Sequence, residues 1–310
     1  MSGSGSPREL ALELAVALRD EVAPLLGGHA GRVHAGAGEG GDITFAIDER
    51  AEEFLQRFLA THAPDVAFYS EHSGLVLPSG APRFVLVVDP IDGTRPALAG
   101  LESCCVSVAA APLDSEPTMG DVTLGCVVEI PSGEVFLAER GAGVLESPPV
   151  LLSRNERIER MFWTYGFRGR PARATAEALA DLIDASSVGG ATFELGSAAF
   201  DMTRVVTGQL DAYVEPGPRL VADVPGLRTE FERVGGGAVL NNAPYDLAAA
   251  ALVLEEAGAV VTDAYGRPLS DRLLLGSDAD YQMSIVSSAN AALHGRILAA
   301  LDEGVRRVSG

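Results

Sequence analysis

Apolar positions along the chain follow two periods. From Leu10 to Leu26 they recur at helical spacing, and Pro24 marks the end. The segment Gly27–Gly41 (GGHAGRVHAGAGEGG) has no period and predicts a mobile loop. In DITFAIDERAEEFLQRFLATHAP the helical period returns, with Ala51, Phe54, Leu55, Phe58 and Leu59 on one face. Acids crowd the first turn of that helix, where the backbone dipole favours them. Strand-like runs follow at Val66–Tyr69, Phe84–Val88, Cys104–Ala109, Leu124–Ile130 and Glu134–Ala138, with a hairpin around Pro131–Gly133. The pattern lapses near Glu146–Val150, which predicts a seam between residues 1–148 and 149–310. Beyond it come helix Ala172–Ile183, a short strand near Thr192, helix Ser197–Thr207 and strand Asp211–Val214. A stretch punctuated by proline and glycine runs from Pro216 to Pro244. Helix Asp246–Ala257, strands Ala259–Thr262 and Gln282–Ser287, and helix Ala289–Leu301 complete the order. No internal repeat is visible. The pattern predicts α/β or α+β, in two layered halves.

Composition narrows the function classes. The 310 residues carry 43 acids against 23 Lys and Arg, a formal charge of −20. Such a surface repels nucleic acid and anionic membranes. It repels an anionic substrate too, unless bound cations reverse the sign locally. Of the 3 cysteines, Cys104 and Cys105 are adjacent and Cys126 is the third, with no C-x-x-C pair. That usage fits buried thiols in a reducing compartment. No apolar run approaches the ~20 residues that span a bilayer. The opening MSGSGSPREL lacks the pattern of a secretory signal and reads as a short loose tail. A soluble, cytoplasmic protein is expected.

One stretch points to chemistry: FVLVVDPIDGTRP, Phe84 to Pro96. Asp89 stands at the carboxyl end of a buried strand, where α/β proteins place ligands. Pro90 has no N–H and keeps Asp89 extended. Asp92 can turn back toward Asp89, and the Ile91 carbonyl between them can point the same way. Two carboxylates and a carbonyl make a hard-oxygen site suited to Mg²⁺. Gly93 permits close approach to the backbone, and Thr94 opens a segment whose N–H groups suit a phosphate. The plainer alternative is a strand-end turn with an Asx cap. Further acids fall at element ends: Glu71 past the strand Val66–Tyr69, Asp48 and Asp246 at helix starts. Each alone reads equally as a cap. No nucleophilic Ser–His pair is evident. The histidines His29, His34, His62, His72 and His294 show no i, i+4 ligand spacing and read as surface or loop residues. Of these, His72 alone sits beside a proposed ligand.

Taken in order, DITFAID, SEHSG, VVDPIDGT, GSAAFDMTRVVTGQLDAYVE and YDLAAAALVLEEAGAVVTDAYGRPL resemble the inositol monophosphatase superfamily, from about Leu10 to Leu301. These are Mg²⁺-dependent, lithium-sensitive phosphomonoesterases. The resemblance implies an α+β fold, a layered α-β-α-β-α sandwich of the inositol monophosphatase / fructose-bisphosphatase type, and a homodimer. It implies an N-terminal domain with most of the metal ligands and a C-terminal domain that completes the site. Two or three Mg²⁺ per site are implied. Glu71, Asp89 and the Ile91 carbonyl would hold the first, and Asp89, Asp92 and Asp246 the second. Asp48 with Thr94 would orient and deprotonate the attacking water. Backbone N–H groups of Gly93 and Thr94 would cradle the phosphate. Gly196 and Ser197 would lie near the substrate, and Glu215 would grip a substrate hydroxyl. The implied reaction makes physical sense: paired metals ~3.5–4 Å apart offset the negative charge that protects a phosphomonoester.

The chain also departs from that pattern. Ser70-Glu71-His72 replaces Gly-Glu-Glu, which puts an imidazole beside the metals and re-tunes their surroundings. The usual aromatic residue after the threonine is missing from TRPALAG, Tyr245-Asp246 replaces Trp-Asp, and Gly27–Gly41 holds no lysine. An insertion at about 216–244 makes Asp223 a competitor of Asp246 for the last ligand position. Its Arg219, Arg228 and Arg233 suit a lid or a substrate contact, or else a surface loop or dimer contact. Arg95 would meet a second anionic group or a surface acid. A haloacid-dehalogenase-type D-x-D-x-T does not match the spacing, and VGGGAVL lacks the glycine spacing of a dinucleotide site. A non-catalytic metabolite-binding pseudo-phosphatase is the alternative of another class. Candidate substrates within the superfamily are inositol monophosphate, a sugar phosphate, fructose bisphosphate, a nucleotide 3′-phosphate and histidinol phosphate.

Overall fold

The apolar run after Phe84 forms the middle of a seven-stranded sheet in the computed structural model, which describes residues 6–28, 34–37, 43–113 and 116–310. In chain order the first strands are β1 (His34–Ala37), β2 (Ile43–Phe45), β3 (Ala67–Ser70), β4 (Gly74–Val76) and β5 (Val85–Asp92). They continue as β6 (Cys105–Ala111), β7 (Leu124–Glu129), β8 (Val135–Glu139) and β9 (Gly143–Glu146). The sheet runs β4-β3-β5-β6-β7-β8-β9, with β3 parallel to β5 and the other neighbours antiparallel. The predicted loop Gly27–Gly41 therefore contains a strand: β1 pairs with β2 as a small separate hairpin. The rest of that loop, residues 29–33 and 38–41, lies outside the described residues, as do residues 1–5 of the predicted tail.

Side chains alternate across β5, as the strand period demands. Leu86 and Val88 face α1 (Pro7–Val22) and α2 (Ala46–His62), packing with Leu14, Leu18 and Leu55. Each such aliphatic side chain contributes roughly 1.5–3 kcal/mol when removed from water. Val85 and Val87 face the other way, toward α5 (Ala198–Val206) and α8 (Pro244–Ala257). Cover on both faces explains why this strand reads as one unbroken apolar run. The same reason makes α8 apolar on almost every side, as a helix between two sheets must be.

A second sheet lies beyond α5 and α8. Its strands are β10 (Phe162–Tyr165), β11 (Ala191–Phe193), β12 (Ala212–Glu215), β13 (Val260–Thr262) and β14 (Ile285–Ser288), in the order β11-β10-β12-β14-β13. On its outer face α4 (Ala172–Ser186) and α9 (Ala291–Ser309) pack around Trp163, Leu179, Val286 and Ile297. The stack is the helix–sheet–helix–sheet–helix sandwich expected from the sequence. Three short helices fall where none was predicted: α3 (Thr94–Ala99), α6 (Gly217–Asp223) and α7 (Leu227–Val234). The last two belong to the punctuated stretch after Glu215.

Candidate active site

The motif is not simply the exit of a strand. β5 continues through it to Asp92, with a bulge against β6. Asp89 lies opposite Ser107 and Asp92 opposite Cys105, so three steps on β5 match two on β6. A spacing of three would otherwise aim the two acids at opposite faces. The extra residue turns both toward α8, the face that Cys105 shares. Ile91 remains on the other face, in the core beneath α1 and α2. Pro90, which donates no ladder hydrogen bond, is tolerated at such a bulge.

The third acid arrives on α8. Asp246 is the third residue of that helix, and its Oδ2 accepts the Ala243 N–H at 2.6 Å. The Ser107 hydroxyl donates to the Tyr245 carbonyl at 3.1 Å and ties this helix start to β6. Ligand atoms of Asp89, Asp92 and Asp246 all lie within 4.8 Å of one another. Glu71, in the turn after β3, borders a small cavity together with Asp246. Asp223, the rival for the last position, is engaged elsewhere by the Tyr265 hydroxyl at 2.8 Å and Arg219 at 3.3 Å.

These acids resist their own charge. Burial, then the charges of Asp92, Glu71 and Asp246, push the Asp89 carboxyl well above the usual range. Burial and then Asp92 do the same to Asp246. Burial raises Asp92 as well, although bonds from Ser197 Oγ at 2.7 Å and Ala199 N–H at 2.6 Å pull against it. Oxygen donors that crowd together at this cost suit a hard cation, which removes the repulsion. The donor set therefore fits the metal that the sequence implied.

Asp48 and Thr94, which the sequence suggested as a pair, come together too. Asp48 is the third residue of α2; its Oδ2 accepts the Phe45 N–H at 2.8 Å and its Oδ1 the Thr94 hydroxyl at 2.9 Å. That hydroxyl also lies 3.2 Å from the Ile91 carbonyl, which joins the pair to the metal side. Gly93 between them has φ of 91°, and a Cβ there would meet the Ser103 carbonyl at 2.5 Å. Only glycine fits this backbone without displacement. His72 Nε2 lies 3.0 Å from the Thr44 hydroxyl.

Gly196 and Ser197 line a cavity with Asp92 and Asp246. Ser197 also caps α5, accepting the Phe200 N–H at 3.2 Å. Glu215 is fully buried; its Oε1 accepts the Gly217 N–H at 2.6 Å and its Oε2 lies 2.6 Å from Arg170. The Arg95 guanidinium stands 5.5 Å over the Phe45 ring. The arginines of the insertion meet protein acids: Arg219 with Asp302 at 2.7 Å, Arg233 with Glu230 at 2.7 Å, and Arg228 with Glu232 at 3.9 Å. The insertion reaches the cavity through residues 239–242 instead.

Arg168, Arg170, Asp201 and Asn242 are among the cavity residues that escaped the sequence reading. A signal existed. The aromatic run FWTY forms β10, and GFRGR follows at its carboxyl end, the position from which Asp89 was found. His294 was misplaced as a surface residue. It is buried, held by Thr262 and Ser288 hydroxyls, each at 2.9 Å.

Comparison with known proteins agrees with this geometry. The profile of the inositol monophosphatase family matches residues 8–306. A fructose-1,6-bisphosphatase/inositol-1-monophosphatase of Methanothermobacter thermautotrophicus is 27% identical over 303 residues, covering 94% of this chain and 95% of that protein. A protein named Nus factor SuhB from Xylella fastidiosa is 29% identical, covering 73% of this chain and 70% of its own. Among solved structures, the extragenic suppressor protein suhB of Bartonella henselae has a TM-score of 0.70 at 22% identity, covering 96% and 98% of the two chains. That last likeness concerns the fold alone. With the family profile spanning almost the whole chain and the acid cluster in place, the chain belongs to the inositol monophosphatase family of phosphoric monoester hydrolases.

Proposed function

We propose that the chain hydrolyses a small phosphomonoester, inositol monophosphate-like or a sugar phosphate, with two or three Mg²⁺ ions. The convergence of Asp89, Asp92 and Asp246 within 4.8 Å carries this reading. Glu71 and the Ile91 carbonyl complete the proposed ligands. Bound there, Mg²⁺ would offset the substrate's charge and make water a better nucleophile. The protein's own part is positional. Thr94, donating to Asp48, keeps oxygen lone pairs free to accept a proton from the attacking water. Asp48 is the carboxylate at the end of that path. Gly93 and Thr94 offer backbone N–H groups to the phosphate, and Gly196 and Ser197 bound the space beside it.

The family resemblance supports lithium sensitivity. It also supports a homodimer, and the exposed Phe162 and Phe193, beside a 590 Å³ groove, give that dimer an apolar face. No helix among the described residues is long and apolar enough to cross a membrane, and the 3 cysteines are free and buried. The free, buried thiols support a reducing, cytoplasmic place.

Turnover of an aryl phosphate and of inositol monophosphate with Mg²⁺ tests the proposal. Asp92→Asn should lower kcat by at least about 10³-fold, since it weakens the site shared by metal and helix cap. Absence of Mg²⁺-dependent turnover of any phosphomonoester would overturn the reading in favour of a metabolite-binding protein.

A further inference from the structure

We propose that Glu52 is a positioning residue for the metal site: it clamps the turn that carries Glu71 and so sets how tightly Mg²⁺ binds. The inference rests on the metal-dependent phosphomonoesterase reading above.

The turn needs holding. β3 and β4 pair antiparallel with Ser70 opposite Gly74, so Glu71, His72 and Ser73 form a three-residue hairpin turn. β4 has three residues and lies at the edge of the seven-stranded sheet. So short an edge strand gives its hairpin little support of its own. Yet the place of the turn matters. β3 runs parallel to β5 with Ser70 opposite Val88, so Glu71 follows Ser70 as Asp89 follows Val88. A shift of this turn would move Glu71 relative to the acid cluster.

Glu52 supplies the hold. Its Oε1 accepts the Ser70 hydroxyl at 2.6 Å and the Ser73 hydroxyl as well. One oxygen therefore ties together the residues that bracket Glu71 and His72. Ser70 Oγ in turn accepts the Ser73 N–H at 3.2 Å, and Gln56 Nε2 donates to Ser73 Oγ at 2.8 Å. Each hydroxyl thus donates and accepts at once, as its chemistry allows. His72 adds a tether to Thr44.

Packing alone does not call for an acid at this position. Ile47, Ala51, Leu55 and Leu59 already supply the apolar face of α2. Glu52 is 6% exposed and Ser70 is fully buried. A carboxyl and a hydroxyl taken out of water cost stability that an apolar pair of the same shape would not. The hydrogen bonds between them offset that cost and fix a direction as well. Ser70 also stands where the family pattern has glycine, which has no hydroxyl to donate, so this part of the clamp belongs to this chain. Glu52 lies four residues beyond Asp48 on α2, and such neighbours share a helix face. That one face holds Thr94 through Asp48 and the Glu71 turn through Glu52.

The test measures Mg²⁺ binding to the full chain without substrate, from the rise of Tm with Mg²⁺ concentration. It is paired with kcat for 4-nitrophenyl phosphate as a function of Mg²⁺. Glu52→Ala should need about ten-fold more Mg²⁺ in both measurements, the loss typical of a residue that orients a metal ligand. Its kcat at saturating Mg²⁺ should stay within about three-fold of wild type, since the ligands themselves are unchanged. Glu52→Gln keeps an oxygen that accepts from both serines, and its Mg²⁺ requirement should stay within about three-fold of wild type. Ser73→Ala removes one of the two bonds and should fall between them, which keeps the test open if Glu52→Ala does not fold. A Mg²⁺ requirement within about two-fold of wild type in the folded alanine variants, whatever their metal-free Tm, overturns the positioning role and leaves Glu52 a purely structural residue. A Glu52→Gln enzyme as weak for Mg²⁺ as Glu52→Ala overturns the clamp too, because charge rather than the two hydrogen bonds would then be at work. Wild type whose Tm ignores Mg²⁺ and which hydrolyses no phosphomonoester overturns the metal-dependent reading, and the role of Glu52 with it.

Discussion

At the scale of single residues, Asp48 and Asp246 show why the helix-cap and functional readings were never exclusive. Each is the third residue of its helix, and each spends one carboxylate oxygen on the N–H of its cap residue. The second oxygen is left for other work, which is Thr94 for Asp48 and the acid cluster for Asp246. The capping bond fixes where that second oxygen points. Thr94 is the simplest place to probe this arrangement. Thr94→Ala should lower kcat by about 10²–10⁴ with little change in KM, while Thr94→Ser keeps the hydroxyl and most of the activity. A Thr94→Ala enzyme with unchanged kcat would remove the threonine from the chemistry.

At the scale of elements, the bulge in β5 and the clamp around His294 were both hidden from the sequence. The spacing D-x-x-D is visible in the chain, but the register that turns both acids to one face belongs to the pairing with β6. His294, on α9, bonds to Thr262 at the end of β13 and Ser288 at the end of β14, and so joins helix to sheet. Burial lowers its pKa to about 4 from 6.5. Between those values the unfolded chain binds more protons than the folded one, so this contribution to stability is lost as pH falls from 6.5 toward 4. His294→Gln, which cannot titrate, should melt below wild type at pH 7 by the few degrees expected for about 1 kcal/mol. That gap should narrow or reverse toward pH 4. A gap that stays constant with pH would contradict the assignment.

At the scale of the whole molecule, the site exists because separate layers meet: α2, the centre of the first sheet, and the buried helices α5 and α8. The metal-free protein holds two buried carboxyls and a partly buried one, all with raised pKa values, so it should gain stability when a cation enters. Adding Mg²⁺ to chelator-treated protein should raise Tm by several degrees, and the rise should grow as pH increases from 5 to 8. The sign follows because the acids must lose protons to bind, so a higher pH favours the bound form. Asp92→Asn should shrink the rise; no rise at any pH would argue against a metal site. How much of this was legible varies with the range of the interaction. Local period and turn chemistry determined α1, α2, strands β3, β5 to β8 and β11 to β14, and α8, and the order of motifs determined the family. The candidate acids could be named because the local pattern predicts an element end at or beside each. What only the tertiary structure decided was long-range: the bulge register, Asp246 over Asp223, Arg170 paired with Glu215, and Glu52 brought beside Ser70 and Ser73. Those depend on contacts between residues far apart in the chain, and no local pattern of hydrophobic and polar positions encodes them.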